Sequence, residues 1–136
     1  MRRLVREELG AAMQKEFVKP GKTIAPYTPA VRVGGFLFVS GQIALDPATG
    51  VLRTESLEIE TRQVLENLNR VLKASGYDSS HLVSATVYLK NMNDYERMNA
   101  VYGAFFPASA YPARVAVEVS NLPRQANIEV AAIAYK

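Results

Sequence analysis

Residues 82–106 read LVSATVYLKNMNDYERMNAVYGAFF, and the change of period inside this stretch decides the fold. Leu82 to Leu89 is β-branched and alternates, which predicts a strand with Val83, Ala85, Val87 and Leu89 on one face. From Asn93 the period lengthens. Tyr95, Met98, Tyr102, Phe105 and Phe106 form the buried stripe of a helix, Asn93 and Glu96 have capping-box spacing, and Pro107 ends it.

Upstream, Leu57 to Ser75 is a second amphipathic helix, with Val64, Leu65, Leu68, Val71 and Leu72 on one face and Gly76 as its stop. Before it, Val31–Val33 and Phe36–Ser40 flank Gly34-Gly35, a hairpin signal. Gln42–Leu45 stays extended until Asp46-Pro47-Ala48-Thr49-Gly50 turns the chain. Lys15–Lys19 alternates as a first short strand and ends at Pro20-Gly21. Downstream, Val115–Val119 and Asn127–Tyr135 are two final strands separated by Asn121-Leu122-Pro123. The expected architecture is α+β, one sheet with two helices on one face.

Several strands are apolar on both faces. Phe36 and Phe38 lie opposite Leu37 and Val39; Ile128, Val130, Ala132 and Ala134 lie opposite Ala131, Ile133 and Tyr135. Two helices cover one face only, so the other predicts a homo-oligomer interface.

The 136 residues are 49% hydrophobic, and the longest uncharged apolar runs, such as Gly34–Leu45, are too short to span a membrane. With no cysteine and one histidine, His81, the chain has no thiol chemistry and lacks the ligands of a zinc or iron site. A Ser-His-Asp mechanism would have to use His81, which follows Ser79-Ser80 at a strand entrance and reads as a surface residue. The net charge of +3 lies in residues 1–22, where Arg2, Arg3, Arg6, Lys15, Lys19 and Lys22 face Glu7, Glu8 and Glu16. The remaining body is balanced and offers no basic track for a phosphate backbone.

Residues 1–14 read as an N-terminal extension, with Leu4, Val5, Leu9, Ala12 and Met13 at helical spacing; Arg6, Glu7 and Glu8 break any secretory signal, so the expected localisation is cytoplasmic. The segment is expected to be a surface appendage or a translated leader upstream of a start at Met13, which an intact mass would test. The domain proper is expected over 15–136.

Among the remaining polar residues, Arg114 enters a strand after Tyr111-Pro112-Ala113 and shares a face with Ala116 and Glu118, while Glu129 is a charge inside an apolar strand. If the last two strands pair as a hairpin, Arg114 and Glu129 meet at its open end. A guanidinium there suits a small carboxylate, and a nearby half-buried carboxylate suits water or proton handling. An Arg114–Glu129 or Arg114–Glu118 ion pair that only satisfies two charges accounts for the same pattern.

The chain also resembles the RidA/YjgF/UK114 family, over roughly residues 15 to 136. The matching segments are Pro26-Tyr27, Ser40-Gly41-Gln42, Asp46 to Gly50, Asn93-Asp94-Tyr95, Met98 to Phe106, Tyr111 to Arg114, Val117-Glu118-Val119, Leu122-Pro123, Ile128-Glu129-Val130 and Ala132-Ile133-Ala134. The resemblance implies a chorismate-mutase-like fold, a homotrimer with its sheets packed into a barrel, and a site in each cleft between subunits. In the enamine/imine deaminase branch, the residue matching Arg114 binds the substrate carboxylate and that matching Glu129 positions or activates water. Those matching Tyr27, Ser40 and Asn99 belong to the site, and the main chain at Ala116 helps hold the imine.

The implied reaction converts 2-imino acids derived from 2-aminoacrylate or 2-aminocrotonate into 2-oxo acids and ammonia, with no cofactor or metal. Two departures bear on it. Ala116 stands where the family often has cysteine, and the Pro107–Ala110 link before Tyr111 is short, a compact cleft rim expected to affect substrate size. The alternatives are ribonuclease activity on single-stranded RNA, which deletion of residues 1–12 would separate from deamination, and a non-catalytic trimer that sequesters a small carboxylate or acts as a chaperone-like partner.

Overall fold

A computed structural model of the chain describes residues 14–23, 25–107 and 110–136. Strands β1 (Lys15–Val18), β2 (Ala30–Val33), β3 (Phe36–Gln42), β4 (Leu82–Leu89), β5 (Ala113–Glu118) and β6 (Ile128–Tyr135) form one sheet in the order β1-β2-β3-β6-β4-β5. Neighbours are antiparallel except β4 with β5. Helices α1 (Leu57–Ala74) and α2 (Tyr95–Phe105) pack on one face, as the patterning predicts. The helical reading of Leu4–Met13 lies outside the described residues, as do Ala108 and Ser109 of the link before Tyr111.

Local chemistry sets the ends of these elements. Val33 pairs with Phe36 across Gly34-Gly35. Gly34 takes a φ of 58°, and a Cβ on Gly35 would come within 2.6 Å of the Lys136 carbonyl. Ser56 caps α1 by accepting from the Ile59 N–H at 3.1 Å. The helix closes as Gly76 N–H reaches the Lys73 carbonyl at 3.0 Å and Tyr77 N–H the Leu72 carbonyl at 2.8 Å, the Schellman arrangement. Its Leu65, Leu68 and Leu72 are buried against Leu37, Val130, Ala132 and Ala134 of the sheet. Each such leucine contributes roughly 1.5–3 kcal/mol.

Four expectations are corrected. Strands β5 and β6 do not form a hairpin: the crossover from β4 through α2 lays β5 parallel beside β4, and β6 enters between β3 and β4. A strand apolar on both faces suits that central place. In β4 the register with β6 shifts between Leu82 and Ser84, which turns Leu82 inward and leaves Val83 exposed. The Asn93–Glu96 capping box does not form, because the Asn91 side chain takes the Asn93 N–H at 2.9 Å and opens a short 3-10 turn, Met92–Asp94, ahead of α2. Met98, Tyr102 and Phe106 are buried as predicted, Phe105 is only partly buried, and Tyr95 at the helix start is exposed.

The face without helices carries Phe36, Phe38, Val115 and Tyr135, exposed by 45%, 45%, 57% and 53%. The ring centres of Phe36 and Tyr135 are 4.9 Å apart, with the rings tilted by 55°. Phe36, Phe38 and Tyr135 form an exposed aromatic cluster on β3 and β6, with Val115 further along the same face on β5.

Candidate active site

Arg114 lies on β5, the edge strand, opposite Ala85 of β4, which is in turn opposite Ala132 of β6. Ala85 and Ala132 are buried, so Arg114 points to the helix-covered face. There it meets α2. Its Nη2 donates to the Tyr95 hydroxyl at 3.1 Å and its Nη1 reaches the Met98 sulfur at 3.8 Å. The guanidinium carbon stands 4.7 Å from the Tyr102 ring centre and 5.6 Å from that of Tyr95. Neither ion pair weighed from the sequence forms: among the described residues no carboxylate reaches Arg114, and Glu118 accepts instead from the Met92 N–H at 2.8 Å.

Asn99 lies on the same side of α2, four residues after Tyr95 and three before Tyr102. Its Oδ1 and the Tyr102 hydroxyl are buried with no hydrogen-bond partner among the described residues. Burial pushes the Tyr102 phenol up, opposed by the nearby Arg114 charge. Ala116 follows two residues after Arg114 on the same face. Because the Val119 N–H bonds inward to the Leu89 carbonyl, the two-residue period turns the main-chain N–H and C=O of Arg114 and Ala116 to the open edge.

Glu129 forms a second group. It aligns with Tyr88 and, beyond it, Val117, on the face without helices. No described residue donates a hydrogen bond to its half-buried carboxylate, and burial holds its pKa above the ordinary 4.5. The carboxyl group rests against Gly41, where a Cβ would lie 2.8 Å from it. Beside it, the Ser40 hydroxyl donates to the Thr28 carbonyl at 2.5 Å and Ser40 N–H to the Pro29 carbonyl at 2.9 Å. These bonds tie the segment carrying the exposed Tyr27 to β3.

Of the residues singled out in the sequence, Arg114, Asn99 and Ala116 are therefore together, and Glu129, Ser40 and Tyr27 are together, but the two groups are apart. Arg114 and Glu129 lie two strands and three residues from one another, about 10 Å across and about 10 Å along the sheet, with side chains on opposite faces. Pairing within one chain is excluded by that geometry. A cavity of about 610 Å³ is lined by residues including Tyr27, Gly41, Asp46, Asn67, Arg70 and Arg124, and neither Arg114 nor Glu129 lines it. Tyr95 and Gly41 are the neighbours that sequence reasoning did not assign to the chemistry. His81 is structural, its Nδ1 accepting from the Asp78 N–H at 3.0 Å.

These features define a class: a single-sheet α+β protein with an edge-strand arginine and, on the opposite face, a glutamate, neither of which has an ionic partner among the described residues. The family model described as Endoribonuclease L-PSP matches residues 18–136. A RutC family protein of Pyrococcus horikoshii is 51% identical over 115 residues, covering 85% of this chain and 90% of the relative. The 2-iminobutanoate/2-iminopropanoate deaminase of Mus musculus is 41% identical over 116 residues, covering 85% of each. The crystal structure of the YjgF gene product from E. coli superposes with a TM-score of 0.83 at 34% identity, covering 89% of this chain and 98% of that one. The chain belongs to the endoribonuclease L-PSP family, the RidA/YjgF/UK114 proteins.

Proposed function

We propose that this protein is a cofactor-independent 2-iminobutanoate/2-iminopropanoate deaminase, acting in the cytoplasm on reactive products of amino-acid dehydration. The observation that carries the reading is Arg114, a partly buried guanidinium whose side-chain partners, Tyr95, Tyr102 and Met98, are all uncharged. Its charge is left for an incoming carboxylate, which the remaining N–H groups can grip in parallel. The mouse relative bearing the deaminase name supports the substrate class.

Arg114 and Glu129 face opposite sides, so a substrate held by one chain's Arg114 is reached by the Glu129 of another copy. The aromatic face without helices supports such an assembly, and the family resemblance supports a homotrimer with three equivalent clefts. The functional unit is the domain over 15–136. Among the described residues no helix is long and apolar enough to cross a membrane.

Water adds to C2 of the 2-imino acid while the C=N π pair moves to nitrogen, which takes a proton. The hydroxyl proton then passes to nitrogen, the C–N bond breaks, and 2-oxo acid and ammonia leave. The raised pKa of Glu129 suits both directions of this proton traffic. Outward main-chain groups at Ala116 hold the imine nitrogen, and Asn99 Oδ1, without a partner among the described residues, accepts from it. Tyr27 and Ser40 border the Glu129 side of the cleft.

The test is a coupled assay in which threonine dehydratase supplies the enamine and semicarbazide traps the remaining imine. Purified protein is expected to speed 2-oxobutanoate release and lower semicarbazone formation. Arg114→Ala is expected to lose about 2–4 kcal/mol of transition-state stabilisation, a large fall in kcat/KM. No acceleration by the wild type, or full activity of Arg114→Ala, would refute the assignment.

A further inference from the structure

Arg114 reaches its position from the edge strand as a long side chain with several rotatable bonds, and such a group clamps a carboxylate in one plane only if something fixes its rotation. Two contacts do so in this chain: Nη2 to the Tyr95 hydroxyl at 3.1 Å and Nη1 to the Met98 sulfur at 3.8 Å. Only the first is a strong hydrogen bond, since a thioether is a weak acceptor. We propose that Tyr95 is a positioning residue that sets the plane of the Arg114 guanidinium for carboxylate recognition; this rests on the deaminase reading of the site.

The chemistry of the acceptor matters. A carboxylate in the place of Tyr95 would hold the guanidinium as well but neutralise it, and a substrate carboxylate would then have to displace it. A phenol oxygen orients without cancelling the charge. Glu118, on the same strand face as Arg114, lies four residues further along the strand and accepts from the Met92 N–H in the turn ahead of α2. The Met92–Asp94 turn sets Tyr95 as the first residue of α2, where its ring overhangs the guanidinium and remains 37% exposed. That exposure exceeds what a core role requires and leaves the hydroxyl at the open edge where the substrate would enter. Tyr102 supplies the buried ring beneath the guanidinium, and its own hydroxyl makes no bond to Arg114, so the two tyrosines are not interchangeable.

The experiment compares full-length wild type, Tyr95→Phe and Arg114→Ala. Each is measured for KM and kcat with enzymatically generated 2-iminobutanoate, and for calorimetric binding of 2-oxobutanoate and of its neutral analogue 2-oxobutanamide. Phenylalanine keeps the ring over the guanidinium and removes only the acceptor, so an unchanged Tm reports an intact fold. Tyr95→Phe is expected to raise KM and the Kd for 2-oxobutanoate by a similar factor, roughly 5- to 20-fold, with a smaller change in kcat and none in the Kd for the amide. Wild-type KM and Kd in Tyr95→Phe, alongside a clear loss in Arg114→Ala, would overturn the role of Tyr95 and leave the deaminase reading standing. Equal weakening for the acid and the amide would reduce Tyr95 to general packing and also overturn it. Wild-type binding of 2-oxobutanoate by Arg114→Ala would remove the carboxylate clamp itself, and with it both readings.

Discussion

Gly41 and Glu129 are in contact across the β3–β6 boundary: a Cβ on Gly41 would stand 2.8 Å from the Glu129 carboxyl group. The φ of Gly41 is not in the left-handed region, so glycine is required there for space and not for backbone conformation. The atoms that would collide are the far end of a flexible side chain. The cost of filling the space therefore falls on where the carboxylate sits rather than on the fold.

Gly41→Ala is accordingly expected to shift Tm by only a few degrees while lowering kcat by about tenfold or more, because the carboxylate is pushed off its position. Thermal melting and the coupled assay, run on the same preparation, check this. A large loss of Tm with unaltered turnover per folded molecule would contradict it.

Glu129 links stability to pH in a defined direction. Burial raises its pKa above the ordinary 4.5, so the folded chain still holds this proton at a pH where the unfolded chain has released it. The contribution to stability is greatest below about 4.5 and is lost as pH climbs through the higher folded-state value. Glu129→Gln, which carries no charge at any pH, is expected to have a higher Tm than wild type near neutrality, with the gap closing as pH falls toward 4. The same variant is expected to lose most of its deaminase activity, and the residual rate to lack the acid limb of the wild-type pH–rate profile. Tm measured across pH 4 to 8 for both proteins decides the first point.

Glu60 is a second carboxylate with an opposite role. It is fully buried in the first turn of α1, and its two oxygens accept from the Asn127 N–H and Nδ2, both at 2.7 Å. These bonds fasten the residue just before β6, two positions from Glu129. Glu60→Ala leaves both donors of Asn127 unmatched and is expected to cost about 2–4 kcal/mol. Urea unfolding with an unchanged m-value measures it.

The helices, the Gly34-Gly35 hairpin and the face assignments of β3, β5 and β6 were legible because side-chain period and punctuation report local structure. Strand neighbours beyond that hairpin were not. Parity correctly places Arg114 beside Ala116 and Glu118 on one face, but says nothing of which strand lies alongside, and chain proximity wrongly suggests that β5 pairs with β6. Residues 114 and 129 therefore read as one cluster when the sheet separates them. Tyr95 was visible as a member of an i, i+3, i+4, i+7 series with Met98, Asn99 and Tyr102, and it reads as core because nothing in the pattern announces an arginine under the first turn of α2. Gly41 is flanked by Ser40 and Gln42 in a matching segment, but the reason for a glycine appears only when Glu129 is placed across from it.

The separation of Arg114 and Glu129 leads to a complementation experiment. If each site takes Arg114 from one copy and Glu129 from its neighbour, Arg114→Ala and Glu129→Gln are each inactive alone, yet a mixed assembly contains sites in which both contributing copies carry the wild-type residue. With random mixing each site has an even chance of an intact Arg114 and an even chance of an intact Glu129 next to it, so about a quarter of the sites are restored. Co-refolding or subunit exchange of the two variants is expected to bring activity up to roughly that fraction of wild type, with none gained by mixing either variant with itself. Introducing Phe36→Glu and Phe38→Glu on the exposed aromatic face is expected to prevent the assembly and abolish the rescue, leaving a species near the 15.0 kDa chain mass in sedimentation equilibrium. Activity persisting in such a monomer, or no recovery in a verified mixed oligomer, would show that the two residues do not serve one site.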